Sequence, residues 1–154
     1  MSTKEQAIFD KRVIFKGYSD MKNLYEREKQ YLCDLSLMIQ KETISSDEVG
    51  ENNISKFLEF HELLRQIFPN LFSHVKYENF DGSMLLKWEG KDKSKLPALF
   101  MNHMDVVEVS GKWEHEAFSG DVDEERIWGR GTLDNKGGLF AMLKAADELR
   151  SEEH

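Results

Sequence analysis

The sequence predicts an α/β fold, with two N-terminal helices packed on a mixed sheet. Three observations predict it. Two early segments repeat apolar residues at helical spacing. Two alternating segments flank Asp81-Gly82, a hairpin signal. A short strand then runs through a glycine turn into an amphipathic helix near the end of the chain.

Residues 1–17 lack a clean period and read as a loosely attached N-terminal arm, with the folded part beginning at 18. Met21, Leu24, Tyr31, Leu35 and Met38 outline the first helix, and Cys33 in that apolar stretch is expected in the core. Thr43 to Asn53 is polar and reads as a loop. Ile54, Phe57, Leu58, His61, Leu64 and Phe68 outline the second helix, stopped by Pro69, whose ring cannot continue it. His61 lies on the apolar stripe and reads as a core or interface histidine. His74 and His115 sit among polar neighbours and read as surface residues.

Phe72 to Phe80 and Ser83 to Trp88 read as the two strands of the hairpin, followed by a charged connector, Lys91 to Lys95. Pro97 to Met101 is short and apolar on both faces, as in a strand inside a helix-covered sheet. Asp121, Asp123, Glu124 and Glu125 form an acidic turn without the ligand spacing of a calcium loop, so it reads as solvated. Arg126-Ile127-Trp128 is the last short strand. Gly129 and Gly131 turn the chain, and Leu139, Met142, Leu143, Ala146 and Leu149 form one apolar helical stripe.

Composition narrows the function classes. With 40% hydrophobic and 32% charged residues, the 154-residue chain reads as soluble and globular. A net charge of −8 argues against nucleic acid and anionic membrane as partners. A single cysteine excludes an internal disulfide framework. No apolar run approaches the roughly 18 residues a spanning helix needs, and no signal peptide opens the chain. The expectation is a cytoplasmic protein.

The chemistry lies in two segments. His103 and Asp105 follow the apolar run and are two residues apart, so in extended backbone they share a side. A metal-bound imidazole usually gives its other N–H to a carboxylate, and Asp105 is placed to be that partner. The competing reading is a strand-end histidine beside a solvated aspartate. Asp134 lies in the loop between the last strand and the last helix, at the sheet edge where α/β folds place ligands. A carboxylate there can bridge two cations. The same glycine-rich turn is a poor phosphate cradle, because its third position is an anion.

These residues resemble the M20 metallopeptidases, in the carboxypeptidase S-like branch. His103-Met104-Asp105-Val106-Val107 matches a His-x-Asp-Val-Val motif, and Ile127 through Lys136 matches Ile-Trp-Gly-Arg-Gly-x-x-Asp-x-Lys. Trp113, Ala117-Phe118-Ser119-Gly120, Glu42 to Ser45, Phe60-His61, Phe68-Pro69 and Leu85 to Trp88 extend the likeness over roughly Leu35 to Leu149. Glu108 and Ala117 depart from it, since the family commonly has proline at both. The resemblance implies a zinc-peptidase-like mixed sheet with flanking helices. It implies His103 as a zinc ligand, Asp105 as the catalytic-site carboxylate orienting it, and Asp134 as the carboxylate bridging two zinc ions. Cobalt or manganese are alternative metals, and a cis peptide is expected at Asp134-Asn135.

The resemblance also implies a di-zinc hydrolase of peptide or N-acyl-amino-acid amide bonds near a free carboxylate, with such molecules as its substrate partner. Residues 18–154 are expected to be the N-terminal part of its catalytic domain. The remaining ligands, the general base and a lid or dimerisation domain would follow, and a homodimer is compatible with the intact protein. Glu152-Glu153 reads as a solvated helix end rather than the family's Glu-Glu pair. His103 and Asp134 supply two ligands where zinc sites take three or four, so these residues alone are expected to be inactive. The rival is a non-catalytic truncated pseudoenzyme, or a subunit completed by another chain.

Overall fold

The computed structural model describes residues 7–8, 21–45, 51–123 and 126–151. The rest of the 1–17 arm, Glu124, Glu125 and Glu152-Glu153 lie outside them. Helix α1 spans Met21–Ile39 and α2 spans Glu51–Ile67. The second helix thus begins three residues inside the segment read as a loop. Pro69 ends it and opens a one-turn helix, α3, at Pro69–Phe72, where its missing N–H costs nothing. Helix α4 spans Gly137–Ser151.

The core lies between these helices. Leu35, Met38 and Ile39 of α1 meet Phe60, Leu64 and Ile67 of α2, Phe68 and Leu71, and Leu139, Phe140 and Leu143 of α4. Cys33 is exposed, not in the core as its apolar neighbours suggested. The helical period puts it opposite the buried face of Asp34, Leu35, Met38 and Ile39. The α4 stripe is buried at Leu139 and Leu143 but ends in solvent at Leu149. Buried Asp147 accepts a 2.8 Å hydrogen bond from the Leu71 N–H and so joins α4 to α3. Arg27 and Tyr31 of α1 bind Glu148 on the outer side of α4.

The hairpin forms as expected, though shorter. Strands β2 (Lys76–Phe80) and β3 (Ser83–Lys87) pair antiparallel with Phe80 opposite Ser83. Asp81 (φ 48°) and Gly82 (φ 89°) make the left-handed two-residue turn that matches strand twist. Met84 and Leu86 face the core. A second antiparallel pair joins β1 (Ala7–Ile8) to β4 (Arg126–Ile127).

α and β elements are both present, but among the described residues they do not share one mixed sheet. Pro97 to Met101 lies in no ladder, and Leu99, Phe100 and Met101 are 75–80% exposed. An apolar run makes a strand only where a neighbouring strand accepts its backbone hydrogen bonds, and no described residue does so for this one. Its continuation is anchored. Ile44 and Val106 form a parallel bridge through Val106 N–H to Thr43 O (2.8 Å) and Ser45 N–H to Val106 O (3.0 Å).

A candidate metal centre at His103 and Asp134

The bridge at Val106 fixes the segment that carries His103. The buried Thr43 hydroxyl donates to Met104 O at 2.6 Å, so residues 104 and 106 are both held by the stretch leaving α1. His103 and Asp105 share the remaining side. The His103 ring places Nδ1 3.1 Å from Asp105 O and 3.3 Å from Asp105 Oδ1. Its other nitrogen, Nε2, lies 2.9 Å from Asp134 Oδ1.

Asp134 reaches that point through an irregular turn, Thr132–Lys136, in which it and Asn135 have non-helical backbone. The Asp134–Asn135 peptide is cis, as the resemblance implied. Gly131 sets up the turn with φ 85°, and a Cβ there would fall 2.6 Å from Val106 Cγ1. The turn therefore packs directly on the segment that carries His103. Lys136 N–H closes it on Gly131 O at 2.8 Å.

The pair is open to solvent, with side chains 46% exposed at His103 and 81% at Asp134. Burial lowers the His103 pKa, but the bond to Asp134, with Asp105 behind the ring, outweighs it, and the net shift is upward. An imidazole between two carboxylates is built to carry positive charge, either as a proton or as a cation in its place. A ring nitrogen and a carboxylate oxygen meeting at 2.9 Å are a donor set suited to zinc. Among the described residues no third metal-ligating side chain joins them at that point.

Three residues that frame the centre went unassigned in the sequence. Lys136 is fully buried, with Nζ 3.1 Å from Met38 O, also bonded to Lys41 O, and 5.1 Å from the Phe60 ring. Burial pulls its pKa down to about 7. In the sequence Thr43 reads as the start of a polar loop and as part of the family likeness at Glu42 to Ser45, with no role at the centre. Arg130 is buried, stacks on Trp113 and reaches Glu108 O at 3.5 Å. The available signal was a lysine between a carboxylate and an apolar helix, with no acidic residue spaced to pair with it.

The other expected sites stay apart from the centre. His61 is a core histidine, with Nδ1 2.9 Å from the Tyr77 hydroxyl. His74 is exposed and bonds Ser73 and Asn70. His115 is only partly exposed. It stacks on Trp128 at 4.3 Å and contacts Asp121. Asp123 accepts from Trp128 Nε1 at 2.8 Å, so the acidic turn spends a carboxylate on its own fold. Among the described residues, no helix is long and apolar enough to cross a membrane.

A family model described as peptidase family M20/M25/M40 matches residues 99–154, the segment holding His103, Asp105, Asp134 and Lys136. Over these residues the chain is similar to peptidase family M20/M25/M40. Relatives carry the likeness upstream of the M20/M25/M40 segment. A probable carboxypeptidase S-like protein of Dictyostelium discoideum is 40% identical over 70% of this chain and 21% of its own length. An N-fatty-acyl-amino acid synthase/hydrolase of Xenopus tropicalis is 35% identical over 85% of the chain and 26% of its own length. Carboxypeptidase S of Saccharomyces cerevisiae is 38% identical over 60% and 17%. The chain spans about a quarter of the length of the M20-family relatives it matches.

Proposed function

We propose that this chain supplies the His103–Asp134 half of a two-zinc centre, in a protein that hydrolyses peptide or N-acyl-amino-acid amide bonds beside a free carboxylate. The 2.9 Å approach of His103 Nε2 to Asp134 Oδ1 carries the reading. His103 would hold one ion and Asp134 would bridge both, with cobalt or manganese able to replace zinc. Bound zinc supplies Lewis-acid polarisation of a carbonyl and lowers the pKa of water toward ~7. The chain's own part is orientation. With Nδ1–H donating to the Asp105 backbone carbonyl and the Asp105 carboxylate beside it, the tautomer would be fixed and the Nε2 lone pair left for the ion.

The substrate class comes from the names of the relatives, which include carboxypeptidases and an N-fatty-acyl-amino acid hydrolase. A chimera tests it. Residues 99–154 replace the corresponding segment of the Xenopus tropicalis relative, and release of amino acid from N-acyl amino acids is measured with zinc. Hydrolysis lost on His103→Ala or Asp134→Ala supports the proposal. A folded, zinc-loaded chimera whose activity is unchanged by either substitution overturns it.

A further inference from the structure

We propose that Lys136 is the positioning residue that sets the approach of Asp134 to His103, by tying the Asp134 turn to the stretch of chain that also grips the His103 segment. The metal role of that approach rests on the proposed function, but the positioning itself does not.

Lys136 is fully buried, and among the described residues no carboxylate pairs with it. A buried cation without a counter-ion is costly and persists only where something specific satisfies it. Here that is the end of α1. The last carbonyls of a helix lack intrahelical partners and carry partial negative charge. The ammonium donates to Met38 O in the last turn of α1 and to Lys41 O two residues past it, each of which also accepts a backbone N–H, from Lys41 and Thr43. Its stem passes under Gly131, where a Cβ would lie 3.5 Å from Lys136 Cδ. Two residues beyond Lys41, Thr43 holds Met104 O with its hydroxyl and Val106 N–H with its carbonyl. One short stretch, 38–43, therefore holds both halves of the centre. Lys136 fastens the Asp134 turn to it, and Thr43 fastens the His103 segment. Nζ is committed to backbone carbonyls, which makes Lys136 a positioning residue.

The test is NMR on the metal-free 154-residue chain with Lys136→Met, which keeps the stem and removes the donors. The unsubstituted chain should give a cross-relaxation peak between the His103 ring and the Asp134 β-protons. Lys136→Met should lose that peak while the His61 ring signals stay in place. Retention of the peak in Lys136→Met overturns the proposal, as does its absence from the unsubstituted chain. Should Lys136→Met not fold, Lys136→Gln decides, since its shorter amide cannot reach both carbonyls and must weaken the same peak. A zinc titration separates the two ideas. Lys136→Met should need about tenfold more zinc to shift the His103 ring. If the peak depends on Lys136 but zinc never shifts His103, the metal reading fails and the positioning role stands.

Discussion

His103 Nε2 lies 2.9 Å from Asp134 Oδ1, across 31 residues of sequence. Two separate anchors bring them together. The bridge between Ile44 and Val106 fixes the first residue's segment, and the Lys136 ammonium fixes the second's turn. The pairing is a consequence of packing on the end of α1, and it can be tested by disturbing that packing.

Gly131→Ala should separate the pair. The substitution puts a Cβ at φ 85° and 2.6 Å from Val106 Cγ1, so the turn or the strand must move. A ~1 Å displacement at a binding constellation is enough to impair it. The expected outcome is a destabilised chain with altered His103 ring shifts in NMR. Unaltered shifts and melting would show that the turn has room the structure does not give it.

The helices α1, α2 and α4 and the Asp81-Gly82 hairpin were legible in the sequence, because period and turn chemistry are local. The meeting of His103 with Asp134 was legible only through the motifs. Pro97 to Met101 was misread as a buried strand, because a strand depends on neighbours that its own residues do not name. Cys33 was misread for a different reason. Apolar neighbours suggest burial, but helix phase decides it. Lys136 was invisible as an anchor, since nothing in its immediate sequence says that its partners are carbonyls some 95 residues away.

The core predicts its own weak points. Phe60 is fully buried, and its ring meets the Lys136 ammonium. Phe60→Ala should cost about 3–5 kcal/mol. Denaturant unfolding checks this, and a loss below about 1 kcal/mol would place Phe60 outside the cooperative core.

Stability should fall on acidification through His61. Burial, helped by Arg65, holds this imidazole below its ordinary 6.5, while Glu62 acts the other way. The unfolded chain therefore binds a proton more readily. His61 adds no penalty well above pH 6.5, and stability is lost as pH falls through 6.5 toward the lower folded value. Melting temperatures at pH 7.5 and 5 should differ less in His61→Asn than in the unsubstituted chain. An equal difference in both would assign the acid sensitivity elsewhere.

The exposed run Leu96, Leu99, Phe100 and Met101 should drive self-association of the 154-residue polypeptide. Unpaired backbone and a contiguous apolar patch favour pairing with another chain. The net charge of −8 opposes this, but salt screens it over roughly 8 Å. Light scattering across a concentration series should show mass growth that Phe100→Lys suppresses. A monodisperse monomer at high concentration would rule the prediction out.

The central claim is that His103 and Asp134 together bind a metal ion. A zinc titration of the 154-residue chain, followed residue by residue in NMR, tests it most directly. The His103 ring and Asp134 signals should shift together and saturate with one weak dissociation constant, since two ligands hold zinc loosely. His103→Ala should abolish the shift at Asp134. The account is contradicted if both signals stay in place at millimolar zinc while His74 or His115 moves.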